Sequence, residues 1–184
     1  IYDRLVGSEM CIRDRSHSAE KSTLDAIEIS EKPIAITHAN PSFWHAAKRN
    51  KSNELLKVLS DSGGILGFSL YPHHLKNNTN CTLDSFCEMI ARTTDIMSIK
   101  NIGIGSDLCL NQPDEIVEWM RNGTWSKNKN YGEGSKNKPG FPKQPGWFED
   151  ARGFFNIEKG LRKVGFSEEE TNGILGNNWY NFYR

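Results

Sequence analysis

Pro33-Ile34-Ala35-Ile36-Thr37-His38-Ala39-Asn40 is the stretch on which the reading of the fold turns. Ile34 to Thr37 is a compact apolar run rich in β-branched residues. Continuous apolarity, rather than alternation, is how a parallel strand covered on both faces reads. The run ends at His38, which puts a titratable side chain at the strand's C-terminal end. Upstream, Ser22 followed by Asp25 suggests the N-cap of a short helix carrying Leu24 and Ile27. Downstream, Asn53 is expected to cap a helix with Leu55, Leu56, Val58 and Leu59 on one side, stopped by Gly63-Gly64. Ile65-Leu66-Gly67-Phe68-Ser69-Leu70 is the next strand candidate, followed by a polar loop with His73 and His74. Thr82 can cap a longer helix through Leu83, Phe86, Cys87, Ile90 and Ala91. Ile102-Gly103-Ile104-Gly105 is a third strand, ending at Ser106-Asp107.

Strands alternating with helices argue for parallel βα units. Two α/β architectures fit, an open doubly wound sheet and a (β/α)8 barrel. Three strands are clear, and a fourth would end just before His17. A barrel takes about 250 residues, so on the barrel reading this 184-residue chain is about half of one. The pattern changes later. Pro113 suits the first turn of a helix through Ile116, Val117, Trp119 and Met120. Residues 121–148 form a long irregular segment of the kind that is usually functional or mobile, and Trp119, Trp125 and Trp147 are expected to pack it. A helix near residues 157–164 is stopped by Gly165, and Ser167-Glu168-Glu169-Glu170 reads as a capping box opening another.

Bulk properties narrow the function. Basic and acidic residues balance at 23 each, so the basic footprint of a nucleic-acid-binding protein is missing. No apolar run approaches the roughly 18 residues of a membrane span, and no signal-peptide h-region is visible. The compartment stays open, with the cytoplasm favoured. The four cysteines form no CxxC pair, which argues against a cysteine zinc site; they read as buried free thiols. Residues 1–15, IYDRLVGSEMCIRDR, have no strand or helix period, and VGSEMCIRDR resembles translated sequencing-adapter sequence. The expectation is a non-native segment over 1–15 and one unit over 16–184.

His38 follows one strand, Asp107 another, and His17 stands where a further strand would end. In parallel α/β folds the C-terminal strand ends form the active face. Neutral imidazole suits zinc, and a carboxylate can serve as ligand or general base. Each also has an ordinary reading, the histidines as hydrogen-bonded loop residues and Asp107 as a turn former. The residues alone therefore reach an α/β domain with a candidate metal-hydrolase site.

Five motifs, in order, carry a resemblance. Ser16-His17-Ser18-Ala19-Glu20-Lys21-Ser22-Thr23 resembles the second-half histidine motif of the membrane (renal) dipeptidase family, the M19 peptidases. The Pro33 to Asn40 stretch, followed by Lys48-Arg49-Asn50, is similar to its next motif. Gly63-Gly64-Ile65 fits the strand that comes after, Ile104-Gly105-Ser106-Asp107 its acidic motif, and Gly176-Asn177-Asn178-Trp179 its C-terminal GxNW signature. The resemblance covers about residues 16–184. It implies the C-terminal half of a (β/α)8 barrel, a two-zinc site and hydrolysis of dipeptides through a metal-bridged water. His17 and His38 match the histidines that hold one Zn2+ ion, and Arg49 the arginine that recognises the substrate's terminal carboxylate. Asp107 matches the aspartate that handles a proton near that water. Full-length members are often homodimers. His73 and His74 match no ligand position and read as loop histidines.

The chain departs from the pattern in two ways. Leu108, Cys109 and Leu110 follow Asp107 where the family often has an aromatic, a second Asp and Gly, which suggests a bacterial-type subgroup. The first-half His-X-Asp motif, the metal-bridging glutamate and a first-half histidine are absent. Two histidines do not close a zinc site, which takes three or four protein ligands. The expectation is that the 184-residue chain alone is unstable or inactive and that its full-length parent is active. Two alternatives stand beside this: a zinc amidohydrolase cleaving another amide of an amino acid, and a non-catalytic degenerate homologue.

Overall fold

A computed structural model describes residues 14–123, 127–129 and 135–184. Three short strands, β1 (Ala35–Ala39), β2 (Ile65–Phe68) and β3 (Ile102–Ile104), form one sheet in the order β1-β2-β3. Both pairings are parallel. Asp14 adds an isolated parallel bridge to Ala35 on the open edge of β1. Four parallel segments thus lie side by side in chain order, separated by the helices α1 (Glu20–Ile29), α2 (Asn53–Asp61) and α3 (Leu83–Thr93). The strands are short and nearly all apolar, β2 and β3 buried at every residue, as expected of parallel strands covered on both faces.

Helix boundaries follow local chemistry, though not always at the residues expected. Ser52, not Asn53, is the N-cap of α2, its hydroxyl accepting from the Leu55 amide. Thr82 caps α3 as read. Ser22 and Asp25 lie inside α1, which starts a turn earlier after Ala19 with no side-chain cap. Glu20, in that first turn, accepts instead from the Ser52 hydroxyl across the α1–α2 contact, and a tertiary bond has replaced a local one. Gly63 closes α2 at φ 77°, in the left-handed region that glycine enters without strain. Pro113 is the residue before α4 (Asp114–Asn122) rather than within its first turn. The chain closes with α5 (Phe154–Lys163), α6 (Glu168–Asn172), a π-helical turn over Gly173–Asn177 and α7 (Asn178–Tyr183). Ser167 makes the capping box foreseen at α6.

The core joins the helix faces to the sheet: Leu55, Leu56 and Leu59 of α2, Phe86 and Ile90 of α3, and Ile157 and Leu161 of α5 surround Leu66 and Phe68. Trp147 packs on Phe86 and Phe148 and donates Nε1–H to the Cys81 carbonyl at 2.7 Å. Trp119 does not pack; it is 60% exposed. Trp125 lies outside the described residues. Cys81 and Cys87 are buried as read, and burial pushes their thiols up to about 11 and about 12, so they are inert at neutral pH. Cys109 is exposed instead.

The C-terminal signature works as an anchor. Asn178 Nδ2 donates to the carbonyls of Ile99 and Ile102, each at 2.8 Å, and Trp179 Nε1 donates to that of Ile104 at 3.0 Å. The indole lies on Gly67 and Gly103. Beside it, a methyl group at Gly67 or Gly105 would collide with the Thr37 carbonyl. These glycines let the end of β1 press against β2 and β3, where the polar residues gather.

One buried asparagine ties these ends together. Asn40 is fully buried. Its Nδ2 donates to the carbonyls of Ser69 (3.0 Å) and His74 (3.1 Å), and its Oδ1 accepts from the Ser69 amide at 3.0 Å. Asn40→Ala removes all three bonds and leaves the Ser69 amide unpaired in the interior, an expected loss of about 2–4 kcal/mol. Urea unfolding checks this; a loss under about 1 kcal/mol would mean that water replaces the amide.

Candidate functional site

The strand ends converge on two imidazoles. His17 follows the Asp14 bridge, and His38 is the fourth residue of β1, inside the strand rather than after it. The register of β1 against β2 slips between Ile36 and Ala39, which re-aims the side chains of Thr37 and His38. The result is a His17 Nε2 to His38 Nε2 separation of 2.9 Å, with the rings edge to face.

A carboxylate behind the pair fixes which nitrogen is available. Asp14 Oδ2 accepts from the Thr37 hydroxyl at 2.8 Å, and Thr37 Oγ1 lies 2.9 Å from His38 Nδ1. A hydroxyl that donates to a carboxylate has only its lone pairs left, so His38 must offer Nδ1–H to it. That tautomer leaves the Nε2 lone pair bare toward His17. Asp14 Oδ1 also accepts from the Ser16 amide and hydroxyl and from the Thr37 amide, and Ser16 Oγ accepts from the His38 amide at 3.0 Å. Burial alone would raise the Asp14 pKa, but these bonds outweigh it and hold the carboxyl below its usual range. Asp14 and Arg15, the last two residues of the adapter-like stretch, are thus woven into the site, Arg15 donating its amide to the Ala35 carbonyl; residues 1–13 lie outside the described residues.

Electrostatics also favour bare imidazole. His17 is held below the ordinary histidine value, first by burial, then by the positive charge of Arg49 and by His38, with Asp107 and Asp14 opposing. The same interactions place Arg49 and Asp107 within electrostatic reach of His17. Arg49 is half-buried, and its Nη1 is buried without a hydrogen-bond partner. Asp107, exposed beyond β3, sits at φ 51°, a left-handed conformation that aspartate tolerates better than most residues. All four residues singled out in the sequence therefore belong to one end of the sheet.

Two nitrogens about 2.0–2.1 Å from one zinc ion lie about 3 Å apart, so the His17–His38 pair fits as two ligands of one ion. Among the described residues, no group of three His, Cys, Asp or Glu could hold a metal. Among these residues the pair therefore has no third protein ligand beside it, and a zinc site takes three or four.

His74 is a loop residue of a different kind from the one expected. It is 5% exposed in a single turn over Pro72–His74, with Nδ1 2.9 Å from Ser69 Oγ. Burial, then the charges of His38, Arg49, His17 and His73, pushes it down to about 3. A histidine neutral when folded but protonated when unfolded costs stability as pH falls, here from about 6.5 toward about 3, at up to about 1.4 kcal/mol per pH unit. Between pH 7 and 5 the wild type should lose about 2 kcal/mol more than His74→Gln. Equal losses in the two proteins, by urea unfolding, would show that His74 does not carry this dependence.

The likenesses of this fold point first to a class, that of the amidohydrolases and peptidases. The chain superposes on an amidohydrolase from Pseudomonas aeruginosa with a TM-score of 0.80 and 28% identity, covering 92% of this chain and 50% of that one. A metallo peptidase from Rhodobacter sphaeroides, solved with a phosphinate mimic of the dipeptide L-Ala-D-Ala, shares the fold at a TM-score of 0.70 and 20% identity, over 97% of this chain and 44% of that one. The dipeptidase ataJ of Aspergillus terreus is 30% identical over 99 residues, 52% of this chain and 24% of that protein. The model of the membrane dipeptidase family, peptidase family M19, matches residues 8–118, and the chain belongs to that family. It spans half or less of the length of these relatives. Among the described residues no helix is long and apolar enough to cross a membrane.

Sequence reasoning missed Asp14, Thr37 and Lys51 as parts of the site. The available signal for Asp14 was its place three residues before His17, where a strand end was suspected. Thr37 and Lys51 gave none, since the carboxylate that holds the Thr37 hydroxyl lies 23 residues away and the carbonyls that hold Lys51 more than 30.

Proposed function

We propose that this chain carries one half of a zinc-dependent dipeptidase, the C-terminal half of a (β/α)8 barrel, whose complete active site hydrolyses dipeptides to amino acids. The carrying observation is the 2.9 Å convergence of the His17 and His38 Nε2 atoms, with His38 Nδ1 occupied by a hydroxyl that is itself held by a carboxylate. Metal-ligating histidines commonly have their second nitrogen tied in this way. The half-barrel reading rests on the order of the four parallel segments, each beside its neighbour in sequence.

His17 and His38 would hold one zinc ion, which when bound supplies a water of lowered pKa. Arg49 binds the substrate's terminal carboxylate: its orphaned Nη1 lacks an acceptor, and a planar guanidinium takes a carboxylate through two parallel bonds. Asp107, beyond the end of β3, accepts the proton of the attacking water and returns one to the leaving amine. The remaining ligands belong to the other barrel half, so the 184 residues alone are proposed to be inactive. A second reading, cleavage of another amide of an amino acid, is favoured by the likeness to the Pseudomonas aeruginosa amidohydrolase; Arg49 suits both, since both substrates carry a free carboxylate. The expected break between a foreign segment over 1–15 and the unit over 16–184 stays a proposal, against which stand the bonds of Asp14 within the site and the family match from residue 8.

The test is metal removal from the full-length protein. A strong chelator is expected to abolish hydrolysis of a dipeptide panel, and Zn2+ to restore it. Full activity in the chelated protein would end the zinc reading, and cleavage of acylated amino acids in preference to dipeptides would select the second one.

A further inference from the structure

Lys51 is the most enclosed cation of the site, 4% exposed, and no carboxylate among the described residues forms an ion pair with it. A buried ammonium is costly unless each of its three donors finds an acceptor. Lys51 Nζ meets this with main-chain carbonyls alone: Ser16 and Ser18 at 3.1 Å and Arg15 at 3.4 Å. These three carbonyls bracket His17. The lysine's own main chain is bonded to the end of β1, its amide donating to the Asn40 carbonyl at 2.9 Å and its carbonyl accepting from Ser42 at 2.8 Å. One residue thus links the His17 turn to the end of the strand bearing His38, and it does so two positions after Arg49.

We propose that Lys51 is a positioning residue, whose ammonium gathers the carbonyls of Arg15, Ser16 and Ser18 to hold His17 against His38 and in register with Arg49. The proposal rests on the reading of His17 and His38 as zinc ligands. A turn with three carbonyls aimed at one point repels itself unless a cation lies there. Without it the turn opens and the two Nε2 atoms lose their common focus. Lys51 touches neither substrate nor metal, so its effect falls on the affinity for the ion.

The experiment measures Zn2+ affinity of the full-length protein by competition with a chromophoric chelator, in Lys51→Met, Lys51→Gln and His17→Ala beside the wild type, with the folded fraction of each read by circular dichroism. Lys51→Met keeps the aliphatic stem and loses the donors, and is expected to bind zinc about 10–100-fold more weakly, the range for loss of an outer partner of a ligand. Lys51→Gln, which can serve some of the three carbonyls, is expected to fall in between, and it decides the question should Lys51→Met not fold. Wild-type zinc affinity in a folded Lys51 variant, alongside a large loss in His17→Ala, overturns the Lys51 proposal alone. Wild-type affinity in His17→Ala overturns the ligand reading on which it rests. A purely structural lysine would lower the melting temperature and leave the zinc affinity of the folded protein unchanged.

Discussion

Replacing His38 with alanine is expected to weaken zinc binding by the full-length protein by about a thousandfold or more, and to reduce dipeptide hydrolysis in parallel. The magnitude follows from the rank of the interaction. Losing a partner behind a ligand typically costs about 10–100-fold in metal affinity or activity; losing the ligand costs more, because a half-set of imidazoles cannot be replaced by solvent without losing the convergence at 2.9 Å. Thr37→Val provides the internal scale. It keeps the β-branched shape that suits β1 but deletes the hydroxyl between Asp14 Oδ2 and His38 Nδ1. With no acceptor for Nδ1–H the ring is free to change tautomer and turn, so Thr37→Val should fall in the 10–100-fold range. The order His38→Ala below Thr37→Val below wild type, read as zinc affinities, is the signature. If the two variants were equally impaired, the hydroxyl would matter for the fold of the strand end rather than for the ligand. If neither were impaired, the pair would be hydrogen-bonded imidazoles and no metal site.

What the sequence made legible depended on how far each interaction reaches. The apolar runs at Ile34, Ile65 and Ile102 announced three parallel strands because burial on both faces leaves a mark in consecutive residues. The caps at Thr82 and Ser167 were legible because donor and acceptor lie within one turn. Asn53 was mistaken for the cap that Ser52 provides, since both residue types are good caps and nothing local separates them. The start of α1 was missed because Glu20 bonds to Ser52, 32 residues away. Trp119 was expected to pack because it is large and apolar, but its helix lies beside the long irregular segment and leaves it exposed. The site divided in the same way. His17, His38, Arg49 and Asp107 could be singled out from motifs and strand ends. Asp14, Thr37 and Lys51 act through carbonyls, amides and hydroxyls that only the folded chain brings near, and a buried lysine satisfied entirely by main chain has no sequence mark.

Arg49→Lys is expected to lower kcat/KM for dipeptides about 100-fold, with most of the change in KM, although the charge is kept. The orphaned Nη1 is the reason. A buried charged donor without a partner is a standing cost of about 1–3 kcal/mol or more, relieved when a carboxylate docks. That relief is available to substrate and transition state alike, and binding shared equally by both appears in KM rather than kcat. Lysine places one point charge where the guanidinium offers a planar fork, so it loses a parallel hydrogen bond and the orientation that comes with it. Two bonds to a charged group at about 1.5–3 kcal/mol each, of which one is kept, give the hundredfold estimate. The decisive comparison is between a free dipeptide and its C-terminal amide. Wild type should strongly prefer the free acid, and Arg49→Lys should narrow that preference by worsening the acid while leaving the amide nearly unchanged. If amide and acid suffered equally, Arg49 would act on the site's geometry or on His17, whose pKa it already depresses, and the carboxylate would have to be recognised elsewhere.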